Sequence, residues 1–175
     1  MLSTRRSKLA LSSVLLMIMI AGYIGYSFYL ANGPRQSHYL GVQSISLDEE
    51  RIGAIRLLQP ATSITTLSNA RVEHERYDYY DASRGLRVAV EKESDAIVRI
   101  ILSEEASTDL ATTRGAGIHD SKQRLISLYG PAYYERSEQG AAIIGYVDQH
   151  LNQTLEFWLH DGEVTMIRLD LGDMD

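Results

Sequence analysis

The pair Gly130-Pro131 is a stop through which no regular helix continues, and it decides how the last third of the chain is organised. Glycine takes the left-handed exit conformation without a Cβ clash, and proline offers no N–H to the next turn. Upstream, Gly117–Pro131 (GIHDSKQRLISLYGP) has the parts of one complete helix. Asp120 or Ser121 can accept from the free N–H groups of the first turn, and Leu125, Ile126, Leu128 and Tyr129 form one apolar face. Beyond Pro131, as far as Asp170, the chain reads as strands.

The other end of the chain is apolar. Leu9 to Leu30 is a run of 22 residues without a charge, and at ~1.5 Å per residue such a helix spans a ~30 Å hydrocarbon core. Arg5, Arg6 and Lys8 precede it, so the positive-inside bias keeps the N-terminus cytoplasmic and sends the remainder outward. Tyr23, Tyr26 and Tyr29 gather toward the outer end, as interfacial aromatics do. The competing reading is a cleaved signal peptide, but this run exceeds the usual ~7–15 residues of such a segment. The expected layout is a cytoplasmic tail (1–8), a transmembrane anchor (9–30), a linker (31–42) and an extracytoplasmic domain (43–175).

That domain carries an internal echo. Ser46–Pro60 (SLDEERIGAIRLLQP) repeats the plan of Gly117–Pro131 at an offset of 131 − 60 = 71, and is expected to form a second helix. Downstream, Tyr77 falls on Tyr146, Leu86 on Leu155 and Arg99 on Arg168 at offset 69. Each unit has three strand-like stretches: Val72–Asp81, Gly85–Glu91 and Ala96–Leu102 in the first, and Ala142–Val147, Thr154–Leu159 and Val164–Leu169 in the second. Asp161-Gly162 is a strong hairpin signal because both central positions of that turn favour positive φ. The expected fold class is α+β: an N-terminal transmembrane helix, then a duplicated α-β-β-β unit whose antiparallel sheet is covered by short helices. Unit one is 43–103, the polar connection is 104–116 and unit two is 117–175. The two sheets could join edge to edge, hiding the edges of short meanders.

The phrase TTRGAGIHDSKQRLISLYGPAYY, from Thr112 to Tyr134, resembles a signature of small secreted or anchored proteins of Gram-positive bacteria: a Gly-rich entry, a short helix, then YG and proline. It is similar to the CAP-associated domain. In architecture only, it is similar to the duplicated units of the β-lactamase inhibitor protein and of a small lipoprotein of outer-membrane assembly. The families it resembles bind proteins or are uncharacterised, and the resemblance carries no catalytic residues across. The first unit departs from the motif, with Leu58-Gln59 where YG would stand.

Chemistry-bearing residues are sparse. There is no cysteine, which removes disulfides, thiolate metal sites and a Cys nucleophile. His119, His150 and His160 with Asp120 and Asp161 are the one metal set that can be drawn, without HxxxH or HExxH spacing. No serine stands in a G-x-S-x-G elbow. Asp78/Asp81 and Asp48/Glu49 are paired carboxylates, the latter placed where a helix N-terminus favours negative charge. The most suggestive group is aromatic and cationic: Tyr77, Tyr79, Tyr80, Tyr133 and Tyr134, with Arg99 and Arg168 at matching strand positions. Tyrosines anchor protein partners or stack on sugars, although alternation places Tyr77 and Tyr79 on one face and Tyr80 on the other.

Beyond residue 30 there are 14 basic and 23 acidic residues, so that part carries 14 − 23 = −9, which disfavours nucleic acid and anionic headgroups. The expectation is a non-enzymatic, membrane-anchored binding or accessory module without cofactor or metal, partnered by an envelope protein. The alternatives are an envelope hydrolase using carboxylates such as Asp78 and Asp81, and a wall-polymer or sugar-binding module using the tyrosines.

Overall fold

A computed structural model describes residues 14–27, 38–68 and 74–172. The chain divides into two compact units, Met1–Gly41 and Val42–Asp175. In the first, residues 14–27 are helical (α1), with residues 14–26 exposed. Among the described residues no helix is long and apolar enough to cross a membrane. The expected span at 9–30 includes 9–13 and 28–30, which lie outside the described residues.

The second unit is built on one seven-stranded antiparallel sheet. In chain order the strands are β3 (Tyr77–Ser83), β4 (Leu86–Glu91), β5 (Ile97–Ser103), β6 (Tyr134–Glu138), β7 (Ala141–Asp148), β8 (Gln153–His160) and β9 (Glu163–Leu171). Their spatial order is β3-β4-β5-β9-β8-β7-β6. Two meanders therefore meet edge to edge, last strand against last strand, with Ile100 facing Leu169. The β8–β9 turn has positive φ at both Asp161 (50°) and Gly162 (87°), as a tight hairpin requires.

The helix expected at Ser46–Pro60 does not form. That segment holds a two-stranded ribbon instead, β1 (Arg51–Ile52) and β2 (Ile55–Arg56), followed by a 3₁₀ turn at Ala61–Ser63. Gly53 sits at the ribbon's turn with φ 59°, and mid-helix it would cost ~0.8–1.0 kcal/mol relative to alanine. The backbone is also committed elsewhere: Gly53 N–H donates to Ala111 O (2.9 Å), Thr113 N–H to Arg51 O (3.1 Å) and Leu58 N–H to Ile97 O (2.8 Å). Ile52, Ile55 and Leu57 still reach the core, but as strand and turn residues, and Leu58 is left exposed. Asp48 and Glu49 consequently sit in an exposed turn and cap no helix.

The second helix forms as α2 (Lys122–Tyr129). Ser121 is its N-cap, accepting from Arg124 N–H, and Gly130 closes it with φ 87° while donating to Ile126 O. Leu125 and Tyr129 are its buried residues, whereas Leu128 is only partly covered. A further strand, β6, comes after the helix where three strands were expected. YERSE escapes an apolar pattern search because this edge strand keeps charges on both faces.

The register also revises the internal equivalence. Leu86 faces Leu102 in the first meander and Leu155 faces Leu169 in the second, giving offsets of 155 − 86 = 69 and 169 − 102 = 67. Both meanders carry a bulge at the same place, after Ala89 and after Trp158. By this register Arg99 corresponds to Met166, not to Arg168. Tyr80 faces Val88 and Ile144 faces Phe157, so Tyr77 corresponds to Ala141, not to Tyr146.

The core lies on one face of the sheet. Val88, Ile100, Leu102, Leu155, Phe157, Ile167 and Leu169 pack there against Leu125 and Tyr129 of α2 and against Leu47, Ile52, Ile55 and Ala61 of the segment that carries the β1–β2 ribbon and the 3₁₀ turn. Each such aliphatic or aromatic side chain stabilises by about 1.5–3 kcal/mol on full burial. The Thr112–Tyr134 motif is the clasp of this layer. Thr113 Oγ1 donates to Glu49 O (2.8 Å), Thr113 N–H donates to Glu50 Oε1 (2.8 Å) and Arg114 Nη2 donates to Ser46 O (2.7 Å). Arg114 also lies over the Tyr129 ring at 4.8 Å. Burial pushes the Glu50 carboxyl up, against the lowering effect of its Thr113, Tyr129 and Arg114 neighbours.

Candidate binding face

Side-chain alternation sends the other half of each strand to the face opposite the core. Cross-strand register aligns these residues in rows. One runs Tyr134, Gly145, Glu156, Arg168, Ile101, Arg87, Asp81, and its neighbour runs Thr154, Asp170, Arg99, Ala89, Tyr79. Charged residues thus occupy the centre of the sheet, and Glu156 and Asp170 are both 0% exposed.

The two carboxylates are held by three arginines. Arg99 donates to Asp170 through Nε (2.8 Å) and Nη2 (3.2 Å), and its Nη1 donates to the Tyr79 hydroxyl (3.3 Å). Arg168 Nη2 donates to Glu156 Oε2 (2.6 Å). Its Nε stands 3.1 Å from Asp170 Oδ2 but lacks hydrogen-bond alignment, so that contact is an ion pair only. Arg136 donates to Glu156 through Nε and Nη2, each at 3.1 Å to Oε1, and its Nη1 pairs with Glu138. The Tyr134 hydroxyl donates to Glu156 as well. Arg136 and Arg168 both stack toward Trp158, at 5.5 and 5.4 Å from its ring.

Three guanidinium groups against three carboxylates leave this ladder neutral. Burial opposes the charge on Arg99, but Asp170 and Tyr79 outweigh it, and the guanidinium is held above its ordinary value. Burial likewise opposes the charge on Arg136, and Glu138 and Glu156 raise it. A network of this kind fixes geometry more than it adds net stability, because the cost of desolvating each charge offsets most of the attraction. Besides Arg168 Nε, two buried side-chain atoms on this face have no hydrogen-bond partner among the described residues, Thr154 Oγ1 and Trp158 Nε1.

At one end of the face two shallow clefts adjoin. One, of about 700 Å³, is lined by Asp81, Arg84, Arg87, Ser103, Glu105 and Met166 among others. The second, of about 430 Å³, includes Glu104, Glu105, Glu138, Ala141, Trp158 and Met166. They share Ser103, Glu105 and Met166 and so form one groove across the strands.

Of the residues singled out in the sequence, Tyr79, Tyr134, Arg99 and Arg168 come together in the ladder. Tyr77 is buried beside it with Ala89 and Val98. Tyr80 and Tyr133 lie on the core side, and Tyr133 sits under Lys122. Asp78 pairs with Lys92 (3.2 Å) and Asp81 with Arg87 (3.0 Å). Asp78 faces the row of Val90 and Asp81 the row of Arg87, on opposite sides of the sheet, so they do not converge. His119 lies 3.6 Å from Glu163 and His160 lies 3.7 Å from Asp161, all exposed. Among the described residues no group of three or more His, Cys, Asp or Glu is placed to hold a metal.

Sequence reasoning missed Glu156, Asp170, Arg136 and Trp158. The signal was present: TLEFWL alternates Thr154, Glu156 and Trp158 with Leu155, Phe157 and Leu159, and IRLDL does the same with Arg168 and Asp170. Charges facing one way from a central strand need partners, and these two strands are neighbours. No protein-family model matches the chain, and no curated protein or solved structure matches it either.

Proposed function

We propose that the chain is a membrane-anchored, extracytoplasmic binding or accessory module without catalytic activity, and that its ladder face docks another protein of the cell envelope. The observation that carries this reading is a pre-set polar and aromatic network on the sheet face opposite the core. The buried carboxylates Glu156 and Asp170 hold Arg99, Arg136 and Tyr134 before any partner arrives, and the arginines in turn hold Tyr79 and lie over Trp158. Preorganised arginine and aromatic side chains lose little entropy on binding, which is how a few residues come to dominate an interface. The basic residues Arg5, Arg6 and Lys8 ahead of the uncharged run support an N-terminus that stays inside while the domain lies outside. The two meanders with their matching bulges support descent from a duplicated unit.

The test is photo-crosslinking of the full chain in intact cells. A photoreactive residue at Ile101 or Met166, on the ladder face, should trap one envelope protein, and the same residue at Gln123 on the outer side of α2 should not. Trapping from Gln123 alone, or from neither side, would sink the docking assignment. External protease should degrade residues 43–175 without lysis, and protection until lysis would reverse the orientation.

A further inference from the structure

We infer that the Trp158 end of the groove takes a lysine or arginine side chain from an extended segment of the docked protein. This rests on the ladder face being the docking surface and names the chemistry of what docks there. The cleft of about 430 Å³ is lined by three carboxylates, Glu104, Glu105 and Glu138, and by no basic residue. Its remaining lining includes Ala141, Met166 and Trp158, apolar surface on which the aliphatic stem of a long cationic side chain can lie. Among the described residues Glu104 and Glu105 have no ion pair, and both are exposed at the exit of β5.

The fold already contains the geometry proposed. Arg136 pairs with Glu138 while its guanidinium lies 5.5 Å from the Trp158 ring, so a carboxylate and an indole face jointly hold a cation at the border of this cleft. A ligand cation would repeat that arrangement with Glu104 and Glu105. The other end of the groove is balanced, with Arg84 and Arg87 against Asp81 and Glu105 in its lining, so the acidic excess lies at the Trp158 end and gives a bound segment a preferred direction. Over longer range, the −9 carried beyond residue 30 draws a basic partner toward the domain and repels an acidic one.

Trp158 is the only tryptophan in the chain, so its fluorescence reports on this cleft alone. The full chain, purified in mild detergent, is titrated with acetyl-Leu-Arg-Leu-amide, with the uncharged citrulline and acidic glutamate versions, and with calcium chloride. The expected result is a saturable change in Trp158 emission with the arginine peptide, weakened by added salt. It should be roughly tenfold weaker for the citrulline peptide and for the Glu104→Gln/Glu105→Gln chain, as loss of two partly exposed charge contacts implies. Glu104 and Glu105 lie in an exposed loop, so the double variant should melt with the parent. Equal responses to the arginine and glutamate peptides, an unchanged response in the double variant, or an equal response to calcium alone would overturn the proposal. If cross-links from Ile101 persist beside such a result, the groove chemistry is wrong and the docking face stands. If they are absent too, both are wrong.

Discussion

The ring of Tyr134 occupies the space that a side chain at Gly145 would need. A Cβ built on Gly145 would stand 2.0 Å from Tyr134 Cζ, closer than real atoms approach. The two residues face each other across β6 and β7, and the missing side chain lets the tyrosine lie down on the sheet to reach Glu156. Gly145→Ala should therefore lift the ring off Glu156, costing about 1–3 kcal/mol from overpacking, with a further loss of roughly 1.5–3 kcal/mol for the hydrogen bond to a charged group. Tyr134→Phe should show only the second loss. Chemical denaturation of both variants measures the difference, and equal midpoints would mean that the close approach carries no cost.

Glu156 is the carboxylate on which the ladder converges. Glu156→Gln should destabilise by about 3–5 kcal/mol, because it leaves Arg136 and Arg168 buried against a neutral amide. Glu135→Gln removes an exposed partner of Lys122 and should change stability by less than about 1 kcal/mol. Thermal melting of the two variants side by side checks the ordering.

On the core side, Leu125→Ala should cost about 2–5 kcal/mol, since Leu125 is 0% exposed in the main core. Leu128→Ala should cost less, because Leu128 is only partly covered. Gly130→Val places a β-branched residue at φ 87°, ψ −177°, a conformation almost confined to glycine, and should cost about 1–3 kcal/mol. His119→Ala removes an exposed side chain and should leave melting nearly unchanged and indifferent to metal, although His119 itself has φ 69°. Denaturation midpoints for the four variants rank them.

Glu50 gives the fold a pH dependence of predictable sign. Burial holds its carboxyl above the ordinary 4.5 in the folded chain. Between 4.5 and the higher folded value the folded state binds more protons than the unfolded one, so stability falls as pH rises through that window. Glu50→Gln should flatten this part of the profile while keeping an acceptor for the Thr113 N–H. Unfolding free energies measured from acid to neutral pH test it, and a parallel profile in the variant would count against the assignment.

The legible parts of this chain are those where local chemistry and tertiary context agree. Asp161-Gly162 makes a tight hairpin wherever it falls between strands, and Gly130-Pro131 ends a helix whatever packs on it. Ser46–Pro60 misleads because its apolar spacing suits a helix face as well as a ribbon, and the ribbon wins through long-range bonds to Ala111, Thr113 and Ile97. For the site, Arg99 and Arg168 are visible as paired positions, but not for the reason that spacing suggests: they are not equivalent by register, and they meet because Asp170 pairs with Arg99 across the β5–β9 seam and with Arg168 along its own strand. Single-strand patterns record which face a residue takes. They do not record which strands become neighbours, and here the ladder depends on the β5–β9 seam.

That seam has a consequence for synthesis on the ribosome. The strand that completes β5 is the last in the sequence, beginning about 60 residues after β5 ends. At a translation rate of about 5–20 residues per second, roughly 3–12 seconds pass with one flank of β5 unpaired. Throughout that interval Arg99 is without Asp170, and the first meander presents an open strand that the β9 of another nascent chain could fill. Exchange of β9 between two copies is therefore the misassembly to which this topology is most exposed, and the arginine–aspartate pair across the seam is where a correct closure would first be distinguishable from a slipped one.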